Sequence, residues 1–249
     1  MMTLTGKKAL LVGGSCDLAL SLAPMLLERG IHVTLTVRSQ EAGQKVAEAL
    51  AGKENWASVL FDMERATTPE GFQALNDLFE EHGPDYLVDF SHGHLEGLVA
   101  GLDAAEMAAY FAANISGRGA LVSWATKQML QKRFGRLLYV SSTAAVLPNR
   151  GQGLYAAAKQ AGEALYKSVG IEMAKRGITS AILRPGYVAA GRAEAFLAEN
   201  EAWMKKRVPL GRPATPDEVA GTLMFLLTDE AQAINATAIT MDGGMTACK

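Results

Sequence analysis

The stretch L-L-Y-V-S-S-T-A-A-V-L-P-N-R-G-Q-G-L-Y-A-A-A-K, Leu137 to Lys159, decides how this chain is read. Leu137 to Val140 is a short apolar run and reads as a buried strand. Tyr155 and Lys159 stand four apart, so helical periodicity puts them on one face, one turn from each other. Ser142 lies at the end of the strand. A strand end and the first turn of the next helix converge at the mouth of a parallel sheet. A phenol, an ammonium and a hydroxyl meeting there make a proton-transfer site. A free tyrosine ionises near pH ~10 and is a poor acid or base at neutral pH. A neighbouring lysine cation favours the phenolate and brings the pKa toward the working range. Ser142 can hold a carbonyl or alcohol oxygen. Taken alone, Y-A-A-A-K is also what an amphipathic helix start with an exposed lysine looks like; the upstream Ser142 and the rest of the chain decide between the two.

Outward from that stretch, strands and helices alternate. Strands are predicted at Lys8 to Val12, Ile31 to Val37, Ala57 to Phe61, Tyr86 to Phe90, Leu137 to Val140, Thr179 to Leu183 and Ala238 to Met241. Helices are predicted at Leu18 to Arg29, Glu41 to Leu50, Glu70 to Glu81, Tyr155 to Lys175, Ala193 to Lys206 and Pro216 to Leu227, the last with Thr215 as N-cap and proline in its first turn. Ala104 to Asn114 and Gly119 to Lys132 form two helices or one long bent one. This alternation predicts an α/β, doubly wound (Rossmann) parallel sheet with helices on both faces, and a ligand at the carboxyl ends of the strands. No repeat, linker or low-complexity tract breaks the pattern, so residues 1–249 read as one domain.

Composition agrees with that class. The chain has 249 residues, 49% hydrophobic and 20% charged, enough for one large buried core. A net charge of −2 gives no general attraction to nucleic acid or anionic membrane. The two cysteines, Cys16 and Cys248, lie far apart in sequence and suggest no disulfide framework. No signal region and no apolar run of spanning length is evident, so the reading is cytoplasmic. His92 and His94 have no ligand cluster near them and read as loop residues, with no metal expected.

The first strand, turn and helix form a dinucleotide-type unit, because glycines let backbone approach a pyrophosphate and the helix N-terminus supplies amides. The loop is V-G-G-S-C-D-L-A, Val12 to Ala19. Asp17 is positioned to cap the helix but brings negative charge near the phosphate. Arg38, at the end of the second strand, can pair with a 2′-phosphate through its planar fork.

These residues resemble the short-chain dehydrogenase/reductase family over nearly the whole chain. The resemblance implies a catalytic tetrad of Asn114, Ser142, Tyr155 and Lys159. Tyr155 would be the general acid/base, and Ser142 would orient the substrate oxygen. Lys159 would lower the tyrosine pKa and bind the nicotinamide ribose, and Asn114 would hold a water in a proton relay. It also implies a cofactor site of Gly13, Ser15, Asp17, Leu18, Arg38, Asp62, Met63, Asn114, Tyr155, Lys159, Pro185, Gly186 and Val188. NADP(H) is the expected cofactor, since the acidic residue of NAD-preferring members is replaced by Val37 with Arg38 beside it. The family's T-G-x-x-x-G-x-G is kept only at Gly13, with Val12, Asp17 and Ala19 at the other fixed places. The N-N-A-G after the fourth strand is replaced by Asp89-Phe90-Ser91-His92, and a usual threonine by Ala190. Residues Ala189 to Arg207 would form a substrate lid.

Within the family the chain looks most like the 3-oxoacyl-acyl-carrier-protein reductases, or a polyketide-type ketoreductase, of fatty-acid or polyketide biosynthesis. Arg133 and Arg176 fall where that branch has carrier-protein-binding arginines, although basic residues at helix C-termini also serve the dipole. The branch implies a homotetramer or homodimer. Two other readings stay open: an alcohol, sugar or steroid dehydrogenase of the same family, and a non-catalytic subunit with an altered cofactor loop.

Overall fold

The computed structural model describes residues 6–68, 70–79, 83–191, 194, 197 and 199–248. Among them, strands β1 (Lys8–Val12), β2 (His32–Val37), β3 (Trp56–Leu60), β4 (Tyr86–Asp89), β5 (Gly135–Val140), β6 (Ile178–Pro185) and β7 (Thr237–Met241) form one sheet. Its order is β3-β2-β1-β4-β5-β6-β7, and all six pairings are parallel. The chain runs outward from β1 to β3, then returns to place β4 on the other side of β1. The crevice between β1 and β4 is therefore the topological switch point, where open α/β sheets bind ligands.

Side-chain alternation divides the core into two layers. Ala9, Leu11, Val33, Leu35, Val88, Leu138 and Leu183 face helices α1 (Asp17–Leu27), α2 (Gln40–Ala49) and α8 (Pro216–Leu226). Leu10, Val12, Leu87, Leu137, Tyr139 and Ile182 face α3 (Gln73–Phe79), α5 (Arg118–Lys132) and α6 (Gly153–Met173). Both faces of the central strands are thus covered, which is why they read as unbroken apolar runs. Thr215 closes a capping box with Glu218 at the start of α8, as predicted.

The predicted boundaries shift by a few residues. The largest change is at α3, predicted from Glu70 to Glu81 but beginning at Gln73, after a run of turns; Glu80 and Glu81 lie outside the described residues. Helix α4 (Ala104–Phe111) runs into α5 through a wide π turn, Ala112–Gly117, so the bent-helix alternative holds. Asn114 sits in that turn, and π turns of this kind often mark functional sites. The predicted helix Ala193 to Lys206 falls partly outside the described residues, at 193, 195, 196 and 198; residues 194, 197 and 199 are helical, and Glu201–Arg207 forms α7. No helix among the described residues is long and apolar enough to cross a membrane.

Candidate active site

A cavity of about 210 Å³ opens at the switch point, lined by the β1–α1 turn, the end of β2, the segment 61–64, the segment after β4 and the π turn. Gly13 makes the approach possible. Its φ is +79°, and a Cβ there would lie 3.0–3.2 Å from the Ser91 and Phe90 backbone. Gly13, Ser15, Arg38, Asp62, Met63 and Asn114 all line the cavity. Six of the predicted cofactor residues thus share one space. Asp17 and Leu18 do not line it.

Asp17 does not cap its helix. The N-cap is Cys16, whose side chain makes no capping bond, and Asp17 is the first helical residue. Its carboxylate instead meets Lys45 of α2 at 3.0 Å, so a neighbouring cation answers the charge that the loop brings to the cavity. Leu18 is half-buried, its side chain packed against the core.

Of the predicted tetrad, Asn114 lines the cavity, while Ser142, Tyr155 and Lys159 stand outside its lining. Ser142 follows β5, and its Oγ accepts from the Ala144 amide at 3.1 Å. Lys159 is buried at 4% exposure, and its Nζ donates to the Val140 carbonyl at 2.8 Å. Gly162 on α6 lets this happen: a Cβ there would lie 2.6 Å from the Tyr139 ring, so the helix sits close against the sheet. Lys159 Nζ lies 5.8 Å from the Tyr155 ring centroid and 5.0 Å from that of Tyr139. Burial, and after it the Arg118 cation, push the Lys159 pKa down to about 7, with Asp89 acting in the opposite sense. The Asn114 side chain is tied into the fold: Oδ1 accepts from the Gly93 amide and Nδ2 donates to the Tyr110 carbonyl, each at 2.8 Å.

Pro185 ends β6, the Gly186 amide donates to the Met241 carbonyl at 2.9 Å, and Val188 bridges Ala214. These three, with Ser142, Tyr155 and Lys159, stand outside the cavity lining, while Asn114 belongs to both groups. At the far end of the sheet, Arg133 and Arg176 are both exposed. An Arg133 Nη lies 3.5 Å from the carbonyl of Lys175, so the structure brings the two arginines to one edge.

Several residues of the site were not recognised from sequence. His92 is more than a loop residue: its ring meets the Tyr155 ring edge-on at 4.6 Å, and its Nε2 is 2.6 Å from the Tyr110 hydroxyl. Asp89 and Arg118 form an ion pair with both side chains at 0% exposure. Glu163, one turn beyond Lys159, is buried and accepts from Ser141 Oγ at 2.7 Å and Arg184 Nε at 2.6 Å. The available signal was a lone charge inside an apolar pattern, as in L-V-D-F for Asp89 and R-G-A-L-V for Arg118.

Comparison with known proteins gives this arrangement its context. A family model described as Enoyl-(Acyl carrier protein) reductase matches residues 16–246. The chain is 30% identical over 246 residues to the 3-oxoacyl-[acyl-carrier-protein] reductase FabG of Vibrio cholerae, covering 98% of this chain and 99% of that protein. It is 29% identical to the FabG of Escherichia coli over the same shares of the two chains. The crystal structure of an oxidoreductase of the short-chain dehydrogenase/reductase family from Burkholderia thailandensis aligns with a TM-score of 0.87 at 28% identity, covering 98% of this chain and 94% of that one. The structure titled ElxO with NADP bound shares the fold, with a TM-score of 0.88 at 22% identity over 97% of this chain and 99% of that one. The family match over residues 16–246, the near full-length likeness to the Vibrio cholerae reductase and the sheet order lead to one conclusion: the chain belongs to the short-chain dehydrogenase/reductase family and is an oxidoreductase of the type that uses a nicotinamide dinucleotide.

Proposed function

We propose that the chain is an NADP(H)-dependent ketoreductase that reduces a carbonyl to a hydroxyl, its substrate a 3-oxoacyl thioester held on an acyl carrier protein. The observation that carries the reading is the buried Lys159, held by the Val140 carbonyl beside the Tyr155 ring at the strand end that presents Ser142. The residues around the cavity fit a dinucleotide. Gly13 lets the segment after β4 close against the β1–α1 turn on the cavity lining, Lys45 answers Asp17, and the exposed Arg38 stands on the cavity wall with no acidic residue before it. A guanidinium fork in that place favours a 2′-phosphate over a bare ribose diol.

When bound, the reduced nicotinamide supplies a hydride to the carbonyl carbon. The protein's part is the proton and the geometry. Ser142 Oγ already accepts from the Ala144 amide, so its own proton is directed to the substrate oxygen. Tyr155 gives its phenolic proton to the same oxygen as charge develops there. The Lys159 cation stabilises the phenolate left behind, and Gly162 keeps the ammonium buried, where its field is least screened.

The carrier-bound substrate is supported by the relatives' names; Arg133 and Arg176 share one exposed edge that would attract an acidic carrier, but at the opposite end of the sheet from Ser142. Exposed Ile171 on α6 and Phe225 on α8 suit contact with further copies of the chain, as a homotetramer or homodimer. The two free thiols suit a reducing cytoplasm. Fluorescence titration with NADPH, followed by NADPH oxidation against 3-oxoacyl thioesters, simple ketones, sugars and steroids, tests the reading in parts. Turnover of thioesters supports it in full. Turnover of other carbonyls alone removes the carrier substrate in favour of an alcohol, sugar or steroid dehydrogenase. No binding at millimolar NADPH would make the chain a non-catalytic subunit.

A further inference from the structure

Asp89 and Arg118 put two full charges where water does not reach. Arg118 Nε donates to Asp89 Oδ2 at 2.8 Å. One Nη donates to the Asn114 carbonyl and the other to the Ser91 carbonyl. The Ser91 amide and hydroxyl donate back to Asp89 Oδ1, and the Tyr166 hydroxyl donates to Oδ2 at 3.2 Å. The pair thus ties the cavity wall after β4 to the π turn that holds Asn114.

Stability alone is a poor explanation for such a pair. Removing two charges from water offsets much of their attraction, and an apolar pair of the same volume usually serves as well. The location of the pair points elsewhere. The Arg118 guanidinium carbon lies 4.8 Å from the Tyr139 ring centroid, and Lys159 Nζ lies 5.0 Å from the same centroid. Among the described residues, Arg118 on α5, Asp89 on β4, Glu163 on α6 and Cys16 before α1 act on the Lys159 charge, and the rings of Tyr139 on β5 and Tyr155 on α6 lie 5.0 and 5.8 Å from its Nζ. Both carboxylates in that set are already engaged, Asp89 by Arg118 and Glu163 by Arg184. Burial holds the Cys16 thiol protonated, with its pKa up at about 11. Of the two cations, only lysine can shed its proton.

We propose that Arg118, acting with Asp89, is a positioning residue for the proton-transfer site: it is a permanent cation set against the same Tyr139 ring as Lys159, so that Lys159 takes up its proton as the anionic cofactor arrives. This rests on the cavity being the dinucleotide site. A phosphate-bearing ligand there would favour the Lys159 cation, whose effect on Tyr155 would then be present only in the loaded protein.

Calorimetric titration of the full chain with NADPH, in buffers of different ionisation enthalpy, counts the protons taken up. The wild type is expected to take up roughly 0.9 proton per cofactor at pH 8 and far less at pH 6, since a group with pKa near 7 is mostly neutral at the first and charged at the second. NMR of ε-13C-labelled lysine in the cofactor-free protein reads the Lys159 midpoint directly. Arg118→Met leaves Asp89 as the neighbouring charge, so the midpoint rises and the uptake at pH 8 falls. Asp89→Asn, which restores the family's residue and keeps an acceptor for Arg118, lowers the midpoint and extends the uptake to lower pH. The Asp89→Asn arm stands by itself if Arg118→Met fails to fold. NADPH binding with an unmoved Lys159 midpoint and equal proton counts in the variants and the wild type would overturn this inference alone. No NADPH binding by the wild type would overturn the cofactor assignment as well.

Discussion

Between pH 7 and pH 9 the cofactor-free protein should gain about 2 kcal/mol of stability through Lys159 alone. The group is buried, and its pKa falls from the ordinary 10.5 to about 7 on folding. Between those two values the unfolded chain carries the Lys159 proton and the folded chain does not. Because the unfolded state binds more protons, folding stability rises with pH, by about 1.4 kcal/mol per unit where the difference is a full proton. Below pH 7 both states are charged, and the penalty for burying the ammonium is present in full. Lys159→Met keeps a long unbranched side chain of similar reach and removes the charge. The variant should therefore be more stable than the wild type at pH 7, with the gap narrowing by about 2 kcal/mol by pH 9. Urea denaturation at the two pH values, at fixed ionic strength, reads the difference, provided the m-values match. Parallel pH dependences for the wild type and Lys159→Met would mean that Lys159 keeps its ordinary affinity for protons, and the electrostatic description of the site would be wrong.

Two further outcomes follow from the cofactor side. Arg38→Ala should weaken NADPH binding by roughly 10- to 100-fold, the range for a lost charge-assisted hydrogen bond, and leave NADH binding nearly unchanged; an equal loss for both cofactors would mean that Arg38 touches no 2′-phosphate. Lys45→Ala breaks a half-exposed pair, so stability should change by less than about 1 kcal/mol. NADPH affinity in that variant should still fall a few-fold, and more steeply at low salt, because Asp17 is left unanswered; affinity equal to the wild type at every salt concentration would count against that role.

The architecture was legible because the central strands are covered on both faces. K-A-L-L-V and L-L-Y-V carry no alternation to mislead the reading, and glycines or prolines mark most of the gaps between elements. The Tyr155–Lys159 spacing and the end of β5 singled out the candidate proton-transfer residues for the same local reason. Other features were hidden by sequence distance. Asp17 and Lys45 lie 28 residues apart and meet only because α2 folds back over the first turn. Asp89 and Arg118, 29 apart, pair across the end of β4 and the start of α5. Asp89 stood out as a departure from the family's pattern, but a sequence does not show which cation answers it. Leu18 was placed at the cofactor because it follows the loop; its half-buried side chain packs against the core, a contact the local sequence does not show. His92 looked like a loop residue because the approach of the segment after β4 to Tyr155 depends on the π turn, which has no local signature.

The central claim, that Tyr155 delivers the proton in a reduction driven by NADPH, is tested most directly by single-turnover NADPH oxidation with the Tyr155→Phe protein, its NADPH affinity measured on the same sample. The account predicts a fall of roughly 100-fold or more in the rate with cofactor binding preserved within a few-fold. A rate equal to that of the wild type, in a variant that still binds NADPH, would contradict it.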